Sequence, residues 1–214
     1  FNNLLSAIRG WSELARMHAA EDSRVLEDLT HVLTATDRAR SLVEQILTFS
    51  RKSESKMVPI EIGEVVQEAI QMLRSTIPAS IEIEFECGEE IPTILADPSQ
   101  IHQIIMNLGT NARQAMADRH GSIRVSLSLD RIQNTPDPRR APIDTSACAC
   151  LRFRDNGPGI PPEAINRIFE PFFTTKRLKE GTGLGLSVVH GIVQTHRGSI
   201  QVNSVEGEGT EFII

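Results

Sequence analysis

The sequence predicts an α+β protein in two parts. Residues 1–54 form an antiparallel helical hairpin, a four-helix bundle when two copies pair, and residues 55–214 form an α/β sandwich. Two observations carry this expectation. The first 52 residues contain no proline and one glycine, with apolar side chains at helical spacing, whereas from Met57 onward period-two strand patterns alternate with helical ones.

In the first part Leu4, Ile8, Trp11 and Ala15 mark one helix, and Leu26, Leu29, Leu33, Thr36, Val43 and Leu47 mark a second. The short polar connection from His18 to Ser23 favours an antiparallel hairpin. Val25, Val32, Ala39 and Ile46 widen the stripe of the second helix beyond what one partner helix covers, which predicts a homodimer. The pattern breaks into polar residues between Arg51 and Lys56. Beyond that break, strands are expected around Ile81 to Phe85, Ile123 to Leu129, Leu151 to Phe153, and Ile200 to Val202. Helices are expected from Ile62 to Ser75, Pro98 to Ala117 and Leu184 to His196, with a short one near Pro162 to Ile168. The sheet should be largely antiparallel. Gln133 to Ser146, with three prolines, reads as an exposed loop.

A length of 214 residues admits one or two domains, and 40% apolar with 23% charged residues is ordinary for a soluble globular chain. A net charge of -6 argues against nucleic acid or anionic membrane as partners and points to a cytoplasmic setting for this segment. There is no apolar run of about 18 residues and no signal-peptide pattern. The chain opens at Phe1 inside an amphipathic pattern, so it is expected to be a segment of a longer protein, with room for an upstream sensor domain or membrane anchor. Cys87, Cys148 and Cys150 cannot all pair and lack zinc-ligand spacing, and are expected to be buried thiols.

Three stretches point to chemistry. Asp97-Pro98 opens a helix well, because the carboxylate caps free amides and proline at the first helical position sacrifices no hydrogen bond. Within that helix Ile101, Ile104, Ile105, Leu108, Ala112 and Ala115 make a buried face, while Gln103, Asn107 and Asn111 recur every four residues on a polar one. Asn107 to Asn111 has poor helix propensity, as expected where a site demands those residues, although two asparagines also suit a merely solvated face.

Asp155-Asn156-Gly157-Pro158-Gly159 ends a strand and is expected to place a carboxylate at a sheet edge, with Gly157 and Gly159 leaving room for a flat ring. A carboxylate there accepts from the exocyclic amine of adenine and opposes the oxygen of guanine. The same residues also suit a plain turn. Gly181-Thr182-Gly183-Leu184-Gly185-Leu186 then runs into a helix whose first amides can hold phosphates. Its spacing is not the dinucleotide fingerprint, and the chain has no Gly-Lys pair for a P-loop. Between these stretches Phe169 to Glu180 has lid character, its aromatics expected to anchor it and Lys176 expected to reach terminal phosphates.

In order, Asn107 and Asn111, Asp155 to Gly159, Phe169 to Phe173, Gly181 to Gly185, and Gly207 to Thr210 resemble the N, G1, F, G2 and G3 boxes of sensor histidine kinases. Phe1-Asn2-Asn3 resembles the end of an H-box written His-Asp-Phe-Asn-Asn. The resemblance covers essentially the whole chain and implies a Bergerat (GHKL) type ATP-binding fold. It further implies that Asn111 ligates Mg2+, that Asn107 contacts phosphate or solvent nearby and takes part in catalysis, and that Asp155 binds adenine. Gly157, Gly159, Lys176, Gly181, Thr182, Gly183, Leu184, Gly185, Leu186 and Thr210 would line the ATP site. The phosphoacceptor histidine would lie two positions before Phe1, and none of the six histidines present replaces it. The hairpin accordingly lacks its first turns. Many family members carry a lysine three residues after the second asparagine, where this chain has Gln114, so Lys176 is the favoured cation.

The implied activity is autophosphorylation of that histidine by MgATP, followed by transfer to an aspartate of a response-regulator receiver domain. Asn3, one helical turn after the acceptor, has a possible water-orienting role in dephosphorylation; helix capping explains it equally well. Two other readings compete: a clamp ATPase of the same fold, and a non-catalytic dimeric scaffold that docks receiver domains.

Overall fold

The computed structural model describes residues 2–18, 23–50, 56–116, 120–130, 148–175 and 182–214. The chain divides into two compact units, Phe1–Glu54 and Ser55–Ile214.

The first unit consists of α1 (Asn2–His18) and α2 (Ser23–Ser50), packed on each other. Leu5, Leu26, Leu29 and Leu33 are half-buried, and Ser12 and Thr36 are buried. The apolar series Leu4, Ile8 and Trp11 faces outward instead, with Trp11 74% exposed, and Val25 and Val32 of α2 are exposed as well.

The second unit begins with β1 (Val58–Ile60) and α3 (Ile62–Thr76), then β2 (Ile81–Cys87), β3 (Ile94–Ala96) and α4 (Pro98–Met116). It continues through β4 (Gly121–Asp130), β5 (Cys148–Asp155), α5 (Pro162–Ile165), α6 (Gly185–Thr195), β6 (Gln201–Val205) and β7 (Gly209–Ile213). The main sheet has the order β2-β4-β5-β7-β6. Only the β2–β4 pairing is parallel, so the sheet is mixed and largely antiparallel as the alternation predicted. A second, two-stranded sheet pairs β1 with β3 antiparallel. Sequence periodicity misses it, because three-residue strands, one with Pro59 at its centre and the other just after Pro92, hold too few alternations to register.

One sheet face carries Ile81, Ile83, Ile123, Val125, Leu127, Leu151, Phe153 and Phe212 into a core shared with α3, α4 and α6. Helix α3 turns Ile62, Val66, Ala69, Ile70 and Leu73 inward at helical spacing and stops at Ile77, whose extended backbone (ψ 135°) is what the following Pro78 requires. Helix α4 starts as expected: the Asp97 carboxylate accepts from the Ser99 amide at 3.0 Å and the Ser99 hydroxyl at 2.6 Å. Burial opposes ionisation of Asp97, but the bonds from Ser99 and from the amides of Lys56 and Gln100 outweigh it and hold the carboxyl below its usual range.

Three expectations need correcting. Of the cysteines only Cys150 is buried, its thiol pushed up by burial; Cys87, the last residue of β2, is exposed and Cys148, the first of β5, is half-exposed, each at the terminus of its strand rather than within it. Ala115 is only half-buried, and Met116 and Gly109 complete the inner face of α4. The glycine in the helix-poor stretch answers to packing: a Cβ on Gly109 would stand 2.4 Å from Leu73 Cδ1 of α3. The expected loop at Gln133 to Ser146 lies outside the described residues.

Candidate functional site

The candidate residues assemble along α4. Near its middle, Asn107 and Asn111 face the start of α6: a Cβ built on Gly185 would lie 3.5 Å from Asn111 Nδ2 and 3.7 Å from Asn107 Oδ1. One turn further along, Ala115 and Met116 approach the turn after β5, 3.8 and 3.5 Å from a Cβ built on Gly157. Helix α4 thus links the glycine loop to the carboxylate turn across about 12 Å, the rise of eight helical residues. Leu184 is buried, while Thr182, Gly183, Gly185 and Leu186 are half-buried around the same helix start. Lys176 and Gly181 lie outside the described residues.

Asn107 carries the clearest sign of an unmet demand. Its Nδ2 is fully buried and has no hydrogen-bond partner among the described residues. Such a donor costs about 1–3 kcal/mol when left unpaired, a cost that a bound acceptor would remove.

Asp155 is buried, but not at a sheet edge. It ends β5, a strand flanked by β4 and β7, and pairs with Ile123 on one side and Thr210 on the other. Strand β7, drawn from the chain's last residues, supplies the second neighbour. Alternation along β5 sends Leu151, Phe153 and Asp155 to the core side, so the carboxylate lies beneath the helices. Burial pushes its pKa up, and backbone bonds from Gly157, at 2.9 Å, and Thr210 oppose the shift without cancelling it. A further donor, such as an exocyclic amine, would complete its coordination.

Three glycines are dictated by close backbone approach at positive φ. A Cβ on Gly183 (φ +67°) would stand 2.4 Å from the Phe172 carbonyl carbon, and one on Gly209 (φ +123°) 2.1 Å from the Asp155 carbonyl oxygen. At Gly159 (φ +73°) a Cβ would stand 2.2 Å from the Val205 carbonyl oxygen, so its missing side chain makes room for the β6–β7 turn rather than for a ring. At the Gly183 contact the Phe172 amide donates to the Gly183 carbonyl at 2.9 Å, with Phe172 itself at φ 67°. The aromatics divide as anchors. Phe169 meets the His190 ring at 5.3 Å and Phe173 lies under the Arg167 guanidinium at 4.4 Å, but Phe172 is exposed and is held through its backbone.

Several supporting residues escaped the sequence reading. Ser204 Oγ receives the Ile160 amide at 2.8 Å, contacts Thr210 Oγ1 at 2.9 Å and donates to the Gly209 carbonyl at 2.9 Å, stitching the loop after Asp155 to the β6–β7 turn. Asn156 accepts from the Ser122 amide at 2.7 Å. A serine within a strand and an asparagine within a turn carry no signal that separates them from ordinary ones. A 430 Å³ depression along Arg74, Ile77, Pro78 and β2 contains none of the motif residues. Asn3 is exposed on the first turn of α1.

No group of three His, Cys, Asp or Glu side chains among the described residues would hold a metal. A hard cation that needs one neutral protein oxygen, and takes the rest from phosphate and water, fits Asn111.

Fold and site together define a nucleotide-binding domain in which a helix, a carboxylate turn and a glycine loop converge on one face of a mixed sheet. The chain belongs to the histidine kinase-, DNA gyrase B- and HSP90-like ATPase family, whose model matches residues 96–214, and this class of domain implies ATP binding. The chain is 33% identical over 219 residues to the sensor kinase CckA of Brucella abortus, which covers 100% of this chain and 22% of that protein. It is 30% identical over 213 residues to the sensor histidine kinase ZraS of Escherichia coli K12, covering 99% of this chain and 42% of the other. Full-length ShkA, solved in complex with AMPPNP, is similar with a TM-score of 0.71 and 26% identity, over 99% of this chain and 42% of that one. The chain therefore spans less than half the length of these relatives.

Proposed function

We propose that this chain is the core of an ATP-dependent protein-histidine kinase: residues 1–54 form the dimerisation and phosphotransfer hairpin and residues 55–214 the catalytic ATP-binding domain. Support comes chiefly from Asn107 and Asn111 lying against Gly185 one turn before the contact with the Asp155 turn, so that one helix serves both ends of a nucleotide. Asp155 would accept from the adenine amine, with Gly157 flanking the ring and Thr210 beneath. Asn107 Nδ2, the amides from Gly181 to Leu186, and Lys176 would hold the phosphates. Mg2+ ligated by Asn111 would neutralise charge developing on the transferred group. The acceptor imidazole, placed upstream of Phe1, would attack the γ-phosphorus in line, with ADP as leaving group, and positioning would supply most of the rate. A receiver-domain aspartate of a response regulator would then accept the phosphoryl group, and exposed Asn3 would orient water for its removal. An upstream sensor domain, with or without a membrane anchor, belongs to the same reading; no described helix is long and apolar enough to cross a membrane.

A clamp ATPase of this fold would place an acid in the N-box helix to activate water, and the aligned position holds Asn107, which favours the kinase. The test is a chain extended upstream and incubated with γ-labelled ATP. Acid-labile, base-stable label on the protein is expected. Phosphate release without label would indicate a clamp ATPase, and neither would leave a scaffold.

Homodimerisation is supported by the exposed series Leu4, Ile8 and Trp11 on α1 with Val25 and Val32 on α2. Apolar series left open to water on both helices are costly and match the seam of a second hairpin. Trp11→Lys is expected to shift the mass measured by light scattering from dimer to monomer at micromolar concentration, with helicity retained. A variant that stays dimeric would place the seam elsewhere.

A further inference from the structure

We infer that His196 is a positioning residue for the nucleotide site, latching the far end of α6 to the start of α4; the inference rests on the nucleotide-site reading above. His196 follows the last turn of α6. Its Nε2 lies 3.1 Å from the backbone nitrogen of Asp97, which is the donor, and its Nδ1 lies 2.9 Å from the carbonyl oxygen of Ile192. A backbone amide can only donate and a carbonyl can only accept. The ring is therefore neutral, with its proton on Nδ1 and a lone pair on Nε2. No other tautomer or charge state satisfies both neighbours.

The position of this contact gives it a role beyond local packing. Asp97 precedes Asn107 by ten residues and Asn111 by fourteen, roughly 15 and 21 Å along α4. Gly185 precedes His196 by eleven, roughly 16 Å along α6. Since Gly185 faces Asn107 and Asn111 while His196 meets Asp97, the two helices run antiparallel, side by side, tied at opposite ends. One tie is the nucleotide site itself. The other is the imidazole, and between them Val189, Ile192 and Val193 are buried in the core.

Asp97 makes a strong anchor. Its carboxylate caps α4 through Ser99 and receives the Lys56 amide at 3.2 Å, so its backbone is fixed from several directions. The latch transmits that rigidity to α6 and so to the glycine loop at its other end. Packing alone permits small tilts about the Val189–Val193 contact; a hydrogen bond at the far end removes them, because a tilt that moves the N-terminus also moves His196.

Two substitutions separate the latch from the imidazole's bulk. An asparagine amide reaches where Nδ1 lies and keeps the bond to Ile192, but falls short of Asp97. A glutamine amide reaches where Nε2 lies and restores an acceptor for the Asp97 amide. His196→Asn is expected to weaken ADP binding about 3- to 10-fold, the equivalent of one net hydrogen bond. It should also speed hydrogen exchange at the Asp97 amide, whereas His196→Gln should return both to near wild type. Long-range ¹⁵N–¹H correlation on the wild-type protein should show Nδ1 protonated and Nε2 bare.

Wild-type ADP affinity in His196→Asn, failure of His196→Gln to rescue, or a proton on Nε2 would overturn the latch. If His196→Asn does not fold, the tautomer and the His196→Gln protein still decide. If the wild-type protein itself fails to bind ADP, it is the nucleotide-site reading that falls, an outcome distinct from wild-type binding that is indifferent to His196.

Discussion

Asp155→Asn is expected to lower ATP and ADP affinity by 100- to 1000-fold while the nucleotide-free protein stays folded. The carboxylate already receives the backbone of Gly157 and Thr210, and an adenine amine would be its third donor. Two ionised oxygens accept all three. An asparagine offers one oxygen, so its amide NH2 must oppose an N–H, leaving a buried clash worth about 3–4 kcal/mol with the lost charge assistance.

Stability should move the other way. Because burial raises the folded-state pKa of Asp155, the group's contribution is fully present below its unfolded pKa and is lost as pH rises through the raised value. At neutral pH the ionised carboxylate is a net burden on the empty domain, and the melting temperature of Asp155→Asn should equal or exceed that of the wild type. Nucleotide binding stabilises the ionised form, so wild-type affinity should decline on acidification at a pH above the usual carboxylate range. Calorimetry gives affinity and melting together. Undiminished affinity would remove Asp155 from the adenine site.

Asn111→Asp should reduce autophosphorylation of the upstream-extended protein by about a thousand-fold or more. The side chain faces Gly185 beside Asn107, where the phosphates would lie. A carboxylate there sets a full negative charge against a polyanion. At about 4 Å and an effective dielectric of 20 that repulsion is about 4 kcal/mol, and the Nδ2 donor is lost as well. The change is nearly isosteric and Asn111 is only half-buried, so the fold should survive. Radiolabel transfer at saturating Mg2+ measures the effect, and a rate within tenfold of wild type would take Asn111 out of the phosphate end. Comparing ADP with and without Mg2+ refines it: if Asn111 ligates the cation, the two proteins should differ less in ADP affinity with Mg2+ present, because the cation attracts the carboxylate that bare phosphates repel.

Much of this architecture is legible because local physics repeats itself along the chain. Ile62 to Leu73 recur at helical spacing, Ile123 to Leu127 alternate, and Asp97-Pro98 is a helix start by its own chemistry, so each element is encoded within a few residues of itself. Helix α4 also shows where such reading misleads. Asn107 and Gly109 look alike as breaches of helix propensity, yet one sets its Oδ1 near Gly185 and holds a buried, unpaired Nδ2, and the other clears space for Leu73. Propensity registers the breach and is blind to its partner.

By itself, then, the sequence determined the two-part organisation, the helices and longer strands, and the order of the glycine, asparagine and aspartate motifs, all of which depend on neighbours near in the chain. Only the tertiary structure decided that Asp155 ends an interior strand, because β7 arrives from 55 residues later to pair Thr210 with it. Likewise, Ser204 joins two turns and His196 meets Asp97 across 99 residues. These contacts join groups with nothing in common until the sheet closes and α6 lies down beside α4. A hydrogen bond is specified by where its two ends arrive in space, and no local periodicity records that.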